Sequence, residues 1–299
     1  MAGSTDFYRE MESNKRKSWL LMLLIFFIFL AISYAFALVY GELILIFGLA
    51  FSIAYIAITY AYGSSMLLRH TGARPVNEKD PKELQFKNMV ENLAFAARLP
   101  APKTYVIETD EMNAFATGKK PEDASVAITT GLLKKLNRDE LEGVVAHEVS
   151  HIQNYDIRFA TMVAIMVGLV AMMSYMFLRM GRFGFGGGRS RGKGGGAVVV
   201  IIILGILLAI ISPFLVRMVQ AAVSRKREFL ADSSGAMLTR YPEGLARALG
   251  KIKGNNKGTM QVSEAVSHLF FTDPTHSYLD SVFATHPPID ERVKKLRSM

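Results

Sequence analysis

"GVVAHEVSHIQN", from Gly143 to Asn154, decides how the rest of this chain is read. It places His147, Glu148 and His151 within one turn of an otherwise apolar helical segment, shortly before a long run of membrane-type residues. Positions i and i+4 project from one helix face a turn apart, so His147 and His151 can both aim an imidazole nitrogen at one metal ion. Zinc fits such a pair best. Glu148, beside the first histidine, is then placed to hold a metal-activated water and take its proton while the metal polarises a peptide carbonyl. The plain alternative is a helix carrying three coincidental surface residues.

A catalytic zinc takes three protein ligands and keeps one position open. The chain has no cysteine, so the third ligand must be His, Asp or Glu. "SRKREFLADSSGA", from Ser224 to Ala236, supplies Glu228 and Asp232, four residues apart on one helical face. One is expected to bind the metal and the other to hydrogen-bond a ligand imidazole. An arbitrary acidic pair of this spacing more often pairs with neighbours, here Arg225 and Arg227. Position favours the metal reading: an apolar run starts eight residues after His151, and another ends nine before Glu228. Each half-site thus lies within about 15 Å of helix from a run.

The apolar residues, 51% of 299, are clustered rather than periodic, which points to a membrane protein. The net charge of +9 sits mostly beside apolar runs, with no zinc-finger or RNP-like pattern, so nucleic acid is not an expected partner. The first run, Trp19 to Tyr40, carries no charge and reaches the length of a bilayer-spanning helix. It is too long for a cleaved signal peptide, and the second, Leu43 to Leu68, follows almost at once to form a hairpin. Lys15 to Lys17 and Arg69 flank the outer ends, which places them in the cytoplasm by the positive-inside bias. The third run, Phe159 to Met180, and the fourth, Ala197 to Val219 with Pro213 as a kink, enclose "GRFGFGGGRSRGKGGG", a glycine-rich linker with no nucleotide-binding pattern. Its arginines oppose the positive-inside bias if both runs span, so this hairpin spans, enters part way, or packs beside the bilayer.

The expected organisation is an N-terminal segment and hairpin over residues 1–68, a first catalytic part over 69–158, the second hairpin over 159–219, and a second catalytic part over 220–299. In the first part Leu84, Met89, Val90, Leu93 and Ala97 form a helical stripe. "TYVIE" (Thr104 to Glu108), "NAFATG" (Asn113 to Gly118) and "SVAITTGLL" (Ser125 to Leu133) read as strands. Asn137, with Glu140 three residues on, caps the helix bearing His147.

The order of these features resembles the HtpX-type membrane zinc metalloproteases, relatives of the CAAX prenyl endopeptidases. The resemblance covers nearly the whole chain: a hydrophobic hairpin, "NAFATG", "HEVSH", a second hydrophobic hairpin, "REFLAD" and "FATHPPIDERVKKL". It implies that His147, His151 and Glu228 bind one zinc ion, that Glu148 is the catalytic base and that Asp232 supports the site. It also implies a membrane α-helical plus α+β, gluzincin-type fold and endoproteolysis of misfolded or damaged membrane polypeptides.

Further candidates rest on less. Asn113, Ala114 and Phe115 are expected on an edge strand beside the cleft, where an extended substrate adds as another strand; Asn113 is equally an ordinary strand residue. His286 either donates a hydrogen bond to the developing oxyanion or simply precedes Pro287 and Pro288. Arg225 to Arg227 read as an anchor to membrane lipid. The stretch from Gly254 to Tyr278 is a candidate cover for the cleft, though a surface loop is its plainer reading. Two competing functions are a non-catalytic zinc binder or transporter, and a membrane adaptor with a silent site. The first wants four zinc ligands or ionisable residues inside the apolar runs, whose interiors lack Asp, Glu and His.

Overall fold

The computed structural model describes residues 42–165, 225–256, 260, 269–272 and 287–299, together with residues 22–34 and isolated positions between 12 and 37 and between 175 and 210. The linker and most of the third and fourth apolar runs lie outside the described residues. The two N-terminal apolar runs pack on each other. The described part of α1 (Met22–Tyr34) is apolar, and α2 (Leu43–His70) is long and apolar enough to cross a bilayer. Buried Met22, Ile25, Phe29 and Ile32 recur at helical spacing. Phe29 meets Phe51 and Tyr55 of α2 edge-on, with ring centroids 5.6 and 5.4 Å away.

Beyond α2 the polar residues begin. β1 (Arg74–Pro75) leads into α3 (Pro81–Ala96), whose start is fixed by Asp80: its carboxylate accepts from the Lys82 and Glu83 amides, and Pro81 fits the first turn. Met89, Val90, Leu93 and Ala97 of the expected stripe enter the core together with Phe86, while Leu84 is half-buried. β2 (Lys103–Ile107), β3 (Ala114–Thr117) and β4 (Ser125–Thr129) complete a four-stranded sheet in the order β1-β2-β4-β3. β2 and β4 are parallel, while β1 and β3 run antiparallel to their neighbours. The expected third strand stops early. The Thr129 side chain caps the Leu132 amide, so Leu132 and Leu133 belong to α4 (Thr130–Lys135).

α5 (Arg138–Gln153) begins with the expected capping box: Asn137 accepts from the Glu140 amide, and the Glu140 carboxylate accepts from the Asn137 amide. It ends at Asn154, and Tyr155, in the left-handed region at φ 59°, turns the chain into α6 (residues 156–165). The later helices are α7 (Arg225–Thr239), α8 (Pro242–Asn255) and α9 (Ile289–Leu296).

α5 is the centre of this assembly, with β3 on one side and α3, α7 and α8 around it. Two glycines let the helices approach. A Cβ on Gly143 of α5 would lie 2.6 Å from the Leu245 nitrogen of α8, and one on Gly235 of α7 would lie 3.0 Å from the His147 nitrogen. The core packs Val144, Val145 and Val149 of α5 against Ile128, Leu245 and Leu249. Each such side chain contributes about 1.5–3 kcal/mol on burial. Thr117 and Thr161 share a hydroxyl hydrogen bond of 2.8 Å, and the Arg158 guanidinium sits 5.6 Å from both the Trp19 and Tyr60 rings, joining this unit to the apolar helices.

Candidate metal and catalytic site

Helical spacing and the close approach at Gly235 bring the expected ligands together. On α5, the Nε2 atoms of His147 and His151 lie 3.1 Å apart. Glu228, in the first turn of α7, brings Oε2 to 3.7 Å from His147 Nε2 and Oε1 to 3.5 Å from His151 Nε2. One ligand atom from each residue fits within 4.8 Å of the others. Donors about 2.0–2.1 Å from a tetrahedral zinc sit roughly 3.3 Å from one another, close to this triangle.

The other face of each imidazole is held by a carboxylate. His147 Nδ1 is 2.9 Å from Asp232 Oδ1, and His151 Nδ1 is 3.0 Å from Asp156 Oδ2. A proton on Nδ1 shared with a carboxylate leaves the Nε2 lone pair aimed at the shared point. Two guanidiniums answer these acids. Arg292 of α9, with no exposed surface, donates from Nε and Nη2 to the two oxygens of Asp232 at 2.9 and 2.7 Å, and its Nη1 lies 3.7 Å from Glu228 Oε2. Arg227 Nη1 is 3.5 Å from Asp156 Oδ1.

The electrostatics favour a cation here. Burial is the largest influence on His147 and, against the pull of Asp232, lowers its pKa to about 4, so the ring is neutral near pH 7. Burial pulls His151 the same way, but the Asp156 hydrogen bond and the charges of Glu228, Asp156 and Glu148 outweigh it and lift His151 to about 9. Burial would raise Asp232, yet the Arg292 charge and the hydrogen bonds from His147 and Arg292 hold it down at about 2. With both imidazoles neutral, as metal ligands must be, and the carboxylates of Glu148, Asp156, Glu228 and Asp232 counted as ionised, four negative charges face two guanidiniums, a deficit equal to the charge of one divalent cation. The donor set therefore fits a divalent metal.

Glu148 is 3% exposed and lines the same cavity as His147, His151 and Glu228. With residues 80–299 matched by the model of the M48 peptidases, the assignment is decided. The chain belongs to peptidase family M48.

The M48 relatives extend the likeness beyond the matched segment. A protein named "Protease HtpX homolog" from Dictyoglomus turgidum is 42% identical over 299 residues, 98% of this chain and 95% of that protein. One of the same name from Streptococcus agalactiae is 41% identical over 303 residues, covering 98% and 99%. Among solved structures, S. mikatae Ste24p matches with a TM-score of 0.51 and 20% identity, over 97% of this chain and 67% of that one, a likeness of fold. As a member of M48 the protein is a metalloendopeptidase.

The other expected residues of this M48 chain have different fates. Asp232 reaches an imidazole, one of the two places that the spacing of REFLAD left open between Glu228 and Asp232. Ala114 and Phe115 lie on β3 at the edge of the sheet, and Asn113 directly precedes it, fully buried. His286 is outside the described residues. Arg227 corrects the lipid-anchor reading: it is 6% exposed and sits between Asp156 and the Phe159 ring, whose centroid is 5.9 Å away. Asp156 and Arg292 were missed as site residues. Asp156 follows the motif by five residues, and only the Tyr155 turn brings it back to His151.

Proposed function

We propose that this M48 metalloendopeptidase is a multi-pass membrane enzyme that uses zinc at a cytoplasmic face. Its gluzincin-like catalytic unit is made from residues 69–158 and 220–299 around the second hydrophobic hairpin. The observation that carries this reading is the convergence of His147 Nε2, His151 Nε2 and the Glu228 carboxylate within 4.8 Å, with Glu148 lining the same cavity. Zinc bound there would acidify a water and polarise the scissile carbonyl. Glu148 accepts the proton of the attacking water and returns it to the leaving amine nitrogen. Asp232 and Asp156 keep the two imidazoles in the tautomer and orientation that present Nε2. Arg292 offsets the buried carboxylates of Asp232 and Glu228, which would otherwise face each other uncompensated. Asn113, Ala114 and Phe115 bind the substrate backbone at the sheet edge, and His286 donates to the developing oxyanion. The substrates are misfolded or damaged polypeptides of the membrane, in keeping with α2, which is long and apolar enough to cross a bilayer.

The test compares zinc content and casein cleavage of wild type and Glu148→Ala, purified in detergent. Glu148→Ala should keep its zinc and lose cleavage. A zinc-loaded variant that still cuts casein at the wild-type rate would remove Glu148 from catalysis.

A further inference from the structure

The edge of β3 nearest the metal ligands is already taken, and by this chain itself. Leu269–Thr272 lies along it. The Asn113 side chain clamps the backbone of Thr272, accepting its N–H at Oδ1 over 3.1 Å and donating from Nδ2 to its carbonyl over 2.8 Å. The Phe271 N–H donates to the Ala114 carbonyl over 2.8 Å. Phe270 stacks edge-on against Phe115, with ring centroids 5.1 Å apart. Residues 272, 271 and 270 thus face 113, 114 and 115 in opposite order, so the segment runs antiparallel to β3.

Its side chains alternate as those of an added strand do. The Phe271 ring turns toward the ligands, 4.9 Å from the His147 ring and 4.7 Å below the Arg292 guanidinium. Phe270 turns the other way, into an apolar recess with Leu67, Leu68, Ile107, Phe115 and Ala127. Both rings are buried. With Leu269 they line the cavity over His147, Glu148, His151 and Glu228 and leave about 50 Å³, room for a few waters and none for a peptide.

Backbone hydrogen bonds at a sheet edge with alternate side chains in pockets are how extended peptides are bound. We propose that Leu269–Thr272 is an internal pseudosubstrate, which must leave the β3 edge before a polypeptide is cut. The recess it fills with Phe270 then receives a bulky aromatic or aliphatic side chain of the substrate. This rests on the protease reading above and supplies its restraint. A tethered competitor acts at an effective concentration of order millimolar, so the segment holds off dilute chains and yields to extended apolar segments crowded at the membrane. The same competition selects substrates that offer a large apolar residue, since only these replace what Phe270 gives up.

The test uses the zinc-loaded full chain in detergent, with labelled casein as substrate. Phe270→Ala should raise kcat/KM about tenfold, because the truncated side chain no longer fills the recess. Zinc content should be unchanged, and adding Glu148→Ala should abolish the gain. A zinc-loaded Phe270→Ala that cleaves at or below the wild-type rate overturns the pseudosubstrate, while leaving the protease reading intact if wild type cleaves and Glu148→Ala does not. Cleavage absent from both wild type and Phe270→Ala overturns both. If Phe270→Ala loses its fold, amide exchange in Glu148→Ala decides: saturating casein should speed exchange at Phe271 and Thr272. Unchanged exchange with casein bound overturns the proposal.

Discussion

Replacing Arg292 with Gln tests whether the site is held together by charge. The guanidinium is fully buried, binds both oxygens of Asp232 at 2.9 and 2.7 Å, and stands 3.7 Å from Glu228. Gln keeps some hydrogen bonding and removes the charge, leaving two buried carboxylates to face each other. Breaking a buried pair on one side costs about 3–5 kcal/mol. In zinc-loaded protein the cation offsets part of the excess negative charge, so about 3 kcal/mol is expected. That lowers the melting temperature by roughly 6–12 °C for a unit of this size, and by more after chelation. Thermal unfolding in detergent, with and without chelator, reads both numbers. The double variant Arg292→Gln/Asp232→Asn should melt above the single one, because it leaves fewer charges stranded. A single variant within about 1 °C of wild type, or a double variant less stable than the single, would refute the electrostatic argument.

Two further predictions concern other groups. Asp156→Asn should weaken zinc binding about 10–100-fold by loosening His151, as read by competition with a chelator of known affinity; unchanged affinity would deny Asp156 that part. Glu83 accepts from Arg74 at 2.9 and 2.6 Å, and that hydrogen bonding lowers its pKa below the ordinary 4.5. A carboxylate depressed on folding adds stability that is full above its unfolded pKa and is lost as pH falls through the lower folded value. Wild type should therefore exceed Glu83→Gln in denaturant midpoint near neutrality, and the gap should close below the ordinary glutamate range. A gap that stays constant to about pH 3 would exclude the ion pair as its source.

Local rules carried the sequence reading a long way at the site. His147, Glu148 and His151 obey one helical turn, and Glu228 and Asp232 another, so the geometry follows once each segment is helical. The capping box at Asn137 was legible for the same reason. Arg292 was not, because its partner Asp232 lies 60 residues away and no spacing rule links α9 to α7. Arg227 was misread through its neighbours: a basic cluster beside an apolar run suggests lipid, and only tertiary packing places Asp156 and Phe159 around it. Among the elements, β-branched Thr129 and Thr130 made Leu132 and Leu133 look like strand, while the Thr129 hydroxyl starts a helix.

The split between α5 and the helices that complete its site also sets a clock for synthesis. His147 leaves the ribosome 145 residues before Arg292. At ordinary elongation rates of about 5–20 residues per second, that interval is roughly 7–30 s. For most of it the nascent chain carries the HExxH turn without Glu228, Asp232 or the guanidinium that makes their burial tolerable. The full His147, His151 and Glu228 triangle, with the charges that support it, is thus completed only late in translation.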